Sequence, residues 1–91
     1  MLGDRLREPR RRAIALVDSE LDRLRALGPE GLRERVASSP LRHHADETLV
    51  VTHVDEAGDR LLVLVETSRG KRMLATGGFV MLPDGSTYTP H

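Results

Sequence analysis

RLLVLVET, residues 60–67, is the most informative stretch of this chain for its fold, because it holds five consecutive apolar residues, 61–65, between polar ends. Side chains of a β-strand point alternately to its two faces, so this run puts apolar groups on both faces at once. Continuous apolar runs of this length, bounded by turn residues, are typical of strands buried on both faces. The stretch therefore predicts the central strand of a sheet that needs cover on each side.

Two further β-type runs flank this strand, with glycine-containing turns between them. The runs are TLVVTHV, 48–54, and RMLATGGFVML, 72–82, and the turns are DEAGD, 55–59, SRGK, 68–71, and PDGS, 83–86. Glycine accepts the positive φ angles that tight turns demand, and turns this short join antiparallel neighbours. The β-rich half therefore predicts an antiparallel meander of three strands, or of four if a short strand forms over 87–89.

The first half of the chain carries a helical pattern. Residues 10–27 repeat apolar side chains at spacings of three and four, which places them on one stripe of a helix. The stripe consists of Ile14, Val17, Leu21 and Leu24. Pro9 suits its first turn and Gly28 its C-terminus. Residues 29–38 predict a second, short helix with Leu32 and Val36 facing inward.

Helices followed by strands, rather than alternating with them, predict an α+β fold. We expect two layers, with two N-terminal helices packed on one face of a three- to four-stranded antiparallel β-meander. The 91 residues suffice for a single domain over 1–91. Within it we expect a mobile charged arm over 1–9, a helical half over 10–38 and the meander over 47–89.

Composition argues against several classes of protein. The chain has no cysteine, so it has no disulfide, thiolate nucleophile or Cys-ligated metal. Its 14 basic and 14 acidic residues balance and only two residues are aromatic, so we expect no specific nucleic-acid binding. No apolar run is long enough to span a membrane, so we expect no membrane partner. The N-terminal stretch is charged where a signal peptide is apolar, which predicts a cytoplasmic protein. The excess of arginine over lysine is typical of bacterial genomes rich in GC.

The assignment of side chains to the two faces depends on the strand register. We expect Val65 opposite Leu74 and Val54 opposite Arg60, which closes the turns on Arg69–Gly70 and on DEAGD. The helices then cover the face that carries Leu49, Val51, His53, Leu61, Val63, Val65, Leu74 and Thr76. The opposite face carries Thr48, Val50, Thr52, Val54, Leu62, Leu64, Glu66, Met73 and Ala75.

The second face is half apolar, and the sequence offers no further helix to cover it. Contiguous exposed apolar surface marks a protein interface or a ligand groove. The candidate partner or ligand face comprises Val50, Thr52, Leu62, Leu64, Glu66 and Met73. Because small oligomers most often pair one patch with itself about a two-fold axis, we expect a homodimer or a tight protein partner.

LRHHADE, 41–47, concentrates two histidines and two carboxylates. Adjacent histidines point to opposite faces of a strand and about 100° apart on a helix, so they rarely share a metal. No HExxH or facial-triad spacing is present. We interpret the stretch as a solvated lead-in to a strand and expect no required metal. The weak polar-site candidates are His43, His44, Asp46 and His53, the last expected as a structural histidine on the helix-covered face.

The remaining motifs favour structure over chemistry. RGK, 69–71, and GG, 77–78, match no phosphate-loop spacing, so the first is interpreted as a turn and the second as a bulge or bend in a long strand. No nucleophile–base arrangement appears, which predicts no catalytic residue and no cofactor. The leading prediction is a non-catalytic interaction or regulatory module that self-associates through the uncovered sheet face. The alternatives are a domain that binds a small apolar ligand on the bent sheet and an immunity- or antitoxin-like partner; an enzyme is the least expected.

Overall fold

The computed structural model describes residues 2–90, with side chains from residue 8 to residue 90. Its elements are helix α1 (Leu2–Arg33), a short 3-10 helix (Val36–Ser38) and strands β1 (Leu41–Ala45), β2 (Thr48–Ala57), β3 (Arg60–Arg69), β4 (Arg72–Met81) and β5 (Thr87–Tyr88). The strands form one antiparallel sheet in the order β1-β2-β3-β4-β5. The α+β class and the antiparallel meander are confirmed.

The described residues 2–90 form one α-helix where the sequence predicts two, and it begins at Leu2 rather than near residue 10. The expected boundary persists as a kink, because Gly28 has φ 71° and ψ 178°, a conformation open essentially only to glycine. Pro29 resumes the helix at once, since its fixed φ suits a first turn, so no loop separates the two parts. Residues 2–9 of the predicted charged arm belong to α1, and the mobility of that arm stays a prediction.

The buried stripe of α1 differs from the predicted one at its start. Val17, Leu21 and Leu24 are buried, but Ala13 is buried in place of Ile14, which is 54% exposed. Spacing alone does not separate the two, because residues 13 and 14 lie four and three positions before Val17. No helix in the described chain is both long enough and apolar enough to cross a membrane.

The sheet has five strands, not three or four. The additional strand is β1, which the LRHHA part of the expected loop forms. A two-residue turn, in which Asp46 has φ 57°, joins β1 to β2. Just before β1, the Ser39 hydroxyl accepts a hydrogen bond of 2.9 Å from the Val54 backbone N–H. Polar side chains suit this strand because it lies at an edge of the sheet, where charged residues discourage pairing with other chains.

Both predicted registers are wrong by three residues. Val54 lies opposite Val63 rather than Arg60, because the first turn contracts to two residues, Gly58 and Asp59, and the rest of DEAGD extends β2. Val65 lies opposite Gly77 rather than Leu74. Here the turn moves by one residue to 70–71, and a bulge beside residue 67 adds one unpaired residue to β4.

An odd register error exchanges the faces of the neighbouring strands. Val50 and Thr52 therefore lie under the helix, 1% and 2% exposed, instead of on the open face. His53 takes the open side of β2, and on β4 Ala75 faces the helix while Thr76 faces away from it. The predicted division of β3 itself is correct, since its buried and exposed residues alternate from residue 61 to residue 65. We call the helix-covered side the inner face and the opposite side the outer face.

The core lies between α1 and the inner face. It consists of Val17, Leu21, Leu24, Leu32, Val50, Val54, Leu61, Val63, Val65, Phe79 and Met81. A Cβ at Gly77 would lie 2.8 Å from Val17 Cγ1 and 3.1 Å from Leu21 Cδ1, so the missing side chain lets the helix approach the sheet closely. The GG pair is therefore not a bulge, because both glycines pair regularly with β3 and serve close packing; the alternative prediction of a bend in the strand stays a prediction.

Candidate functional site

The outer face carries most of the large apolar side chains that the described part of the chain leaves strongly exposed. Four of five lie there: Leu62 (40% exposed), Leu64 (42%), Met73 (51%) and Tyr88 (42%). Cross-strand pairing arranges this face in rows, which are Asp55–Leu62–Val80–Tyr88, His53–Leu64–Gly78, Val51–Glu66–Thr76 and Leu49–Ser68–Met73. Single exposed apolar residues are ordinary, but a cluster on one face indicates a binding surface.

A polar pair, His53 and Glu66, lies in the middle of this apolar surface. The two residues are diagonal neighbours on β2 and β3, since His53 is opposite Leu64 and Glu66 is opposite Val51. His53 Nε2 lies 2.7 Å from Glu66 Oε1. Because a carboxylate only accepts hydrogen bonds, this distance requires a proton on Nε2. The contact orients the imidazole and leaves Nδ1 available to an incoming group.

A groove of about 540 Å³ runs along the outer face beside this pair. Its depth comes from Gly78, which lies opposite Leu64 and contributes no side chain to its row. A Cβ at Gly78 would lie 2.4 Å from the Val63 carbonyl oxygen, so only glycine fits between β4 and β3 here. Leu62 and Leu64 form apolar walls, and Thr89 and Pro90, which follow β5, contribute to the rim.

The predicted partner face is brought together only in part. Leu62, Leu64, Glu66 and Met73 lie on the outer face, whereas Val50 and Thr52 are buried on the inner face. Sequence reasoning missed Asp55, Gly78 and Tyr88 as members of the outer face. Gly58 and Gly70 were the available signal, because each is the first of two turn residues: the first turn then shortens to Gly58–Asp59, and the second moves by one residue, to 70–71.

The weak polar-site candidates are not brought together into one cluster. His43 and His44 are exposed and point to opposite faces of β1, as adjacent strand residues must. Asp46 occupies the turn after β1, and His53 lies on the outer face rather than on the predicted inner one. Among the described residues, no group of three or more His, Cys, Asp and Glu side chains has a metal-binding arrangement.

Comparison of the chain with protein-family models, with curated proteins and with solved structures gives no match. The chemistry of the outer face is therefore what bears on function. That chemistry combines exposed aliphatic side chains, one oriented imidazole–carboxylate pair and a groove floored by glycine.

Proposed function

We propose that the chain is a protein-interaction module that self-associates through the outer face of its sheet. The observation that carries the proposal is the asymmetry of the sheet. The inner face is sealed by α1, while Leu62, Leu64, Met73 and Tyr88 remain 40–51% exposed on the outer face. A second copy offers the same apolar chemistry, and sheets stack face to face with their strands roughly aligned.

A two-fold axis through the outer face makes the contact self-complementary. Each of these four side chains keeps about half of its surface in water, so burying the remainder is worth about 1 kcal/mol apiece. Two copies then gain about 8 kcal/mol, which falls within the association cost of about 4–15 kcal/mol. The balance supports a reversible dimer that dissociates on dilution, consistent with the polar His53–Glu66 pair at its centre.

The test is the concentration dependence of mass, measured by sedimentation equilibrium from about 10 μM to about 1 mM. Wild type is compared with Leu64→Glu, which puts a charge in the middle of the outer face. Ile14→Glu is the matched control, because Ile14 is 54% exposed but lies on α1. We expect wild type and Ile14→Glu to dimerise and Leu64→Glu to stay a folded monomer. A wild type that is monomeric throughout, or dimerisation lost only with Ile14→Glu, would contradict the proposal.

A further inference from the structure

The acidic side chains that line the groove on the outer face are not balanced by any described lysine or arginine. Its ionised groups are the carboxylates of Asp55 and Glu66, and its wall is otherwise largely aliphatic. Neither lysine nor arginine lines it within the described residues, although the chain contains 14 of them. Apart from His53, which is charged only when protonated, the ionisable side chains of the groove are carboxylates, and they complement an apolar molecule that carries a positive charge.

The hydrogen-bonding groups of the groove point to the same class of ligand. Glu66 Oε1 is engaged by His53 Nε2, so Oε2 remains to accept a hydrogen bond from a ligand. Nδ1 of a neutral His53 also accepts, because the proton of that imidazole is on Nε2. An ammonium group is a donor with no acceptor capacity, which suits such a site.

We infer that the groove is a binding site for a small hydrophobic monocation, an aryl- or alkyl-ammonium compound, with its charge at Glu66 and its apolar body against Leu62 and Leu64. The volume of about 540 Å³ lies within the range of about 300–1,000 Å³ that is usual for small-molecule sites. Aliphatic walls exclude water from one side of the ion pair, which strengthens the attraction relative to bulk solvent.

The ligand site does not require the proposed dimer, but the two compete, because both use Leu62, Leu64 and the His53–Glu66 pair. Met73 lies in the row beyond Glu66 and Thr76 and does not line the groove. Met73→Glu therefore removes the apolar contact with a second copy while leaving the groove intact. Ligand binding is measured on this variant as well as on wild type.

Three probes of the same shape separate charge from hydrophobicity: 1-naphthylmethylammonium, the neutral 1-naphthylmethanol and the anion 1-naphthylacetate. Naphthyl fluorescence anisotropy reports binding with little background, because the chain has no tryptophan and one tyrosine. We expect the ammonium to bind at least about tenfold more tightly than the alcohol, a difference of about 1.4 kcal/mol, and the anion to bind least.

Substitution of Glu66 locates the site. Glu66→Gln keeps the shape and an acceptor for His53 but removes the charge, so the ammonium should fall to within about twofold of the alcohol. Glu47→Gln is the control, since Glu47 is exposed and pairs with Arg69 away from the groove. Equal affinity for the three probes, an unchanged ammonium affinity in Glu66→Gln, or no ammonium binding below about 1 mM would overturn the inference. Binding that is equal in wild type and Met73→Glu, with both monomeric, would support the ligand site and contradict the dimer.

Discussion

The two faces of β3 carry similar apolar residues but differ sharply in burial. Leu61 is 1% exposed under the helix, while its neighbour Leu62 is 40% exposed on the other side of the same strand. Val63 and Leu64 repeat the contrast at 4% and 42%. Side-chain chemistry alone therefore does not decide burial in this sheet. The cover decides it: α1 covers the inner face, whereas the outer face is left open at Leu62 and Leu64, although Val80, paired with Tyr88, is buried there.

We expect the greatest loss of stability from one of two matched variants, in which Leu61 or its neighbour Leu62 is replaced by alanine. Leu61→Ala should lower the free energy of unfolding by about 2–5 kcal/mol, because it removes buried methyl groups and leaves a cavity. Leu62→Ala should cost less than about 1 kcal/mol, because its side chain is already partly in water. Urea unfolding at low chain concentration, where copies stay apart, measures both.

If Leu61→Ala and Leu62→Ala lowered the free energy of unfolding equally, the division of the sheet into a covered inner face and an open outer face would be contradicted. A large loss of unfolding free energy in Leu62→Ala that appears only at high chain concentration would have a different meaning. It would show that the outer face is buried by association, since partner binding adds to apparent stability by mass action.

The adjacent glycines of β4 extend the comparison to the backbone. A Cβ at Gly78, on the outer face, meets the Val63 carbonyl oxygen at 2.4 Å, and this backbone atom cannot move aside. A Cβ at Gly77, on the inner face, meets only the Val17 and Leu21 side chains, which can shift. We expect Gly78→Ala to destabilise the fold by about 2–3 kcal/mol and Gly77→Ala by about 1 kcal/mol, as overpacking does. Thermal unfolding of the two variants should give Gly78→Ala the lower midpoint, and the reverse order would contradict the packing described for β4.

Local patterns of the sequence predict much of this fold, and long-range register accounts for the errors. The apolar run in β3 and the helical stripe before it identify the layers correctly, because each pattern reflects burial within one element. The faces of β2 were assigned wrongly because Gly58 starts a two-residue turn, and one turn length moves every residue of the strand. Thr52 shows that residue type does not identify the buried face of β2. This threonine lies under the helix and is as buried as Val50 and Val54 on the same face.

The sequence predicts the members of the candidate site that lie on β3, but few of those on the other strands. Leu62, Leu64 and Glu66 follow from strand alternation alone, and the structure places all three on the outer face. The groove could not be predicted, because it arises where Gly78 falls opposite Leu64 and where the residues after β5 return to the sheet. The pairing of Gly78 with Leu64 depends on the turn at 70–71 and on the bulge beside Thr67, and no local pattern in the sequence predicts that bulge.

A smaller contribution to stability comes from the turn that brings Tyr88 to the outer face. Asp84 accepts hydrogen bonds from the Ser86 hydroxyl at 2.6 Å and from the Ser86 backbone N–H at 2.9 Å. These bonds, the hydroxyl first, lower the pKa of Asp84 below its ordinary value. A lowered carboxyl pKa contributes stability that is present above the pKa of the unfolded chain, about 3.9, and is lost as pH falls through the folded pKa.

Ser86→Ala removes the stronger donor and should raise the pKa of Asp84 toward that ordinary value in an NMR titration. Its stability deficit should be small, present at neutral pH, and reduced in acid, where the Asp84 carboxylate is protonated in both proteins. Ser68→Ala is the control, because Ser68 lies on β3, in the row farthest from this turn. A deficit that does not change with pH would mean that the hydroxyl supports the turn without its hydrogen bond to Asp84. The outer face would then depend on backbone geometry at this end, chiefly on the Leu82 N–H, which donates to the Ser86 carbonyl at 2.8 Å, and not on the charge of the turn.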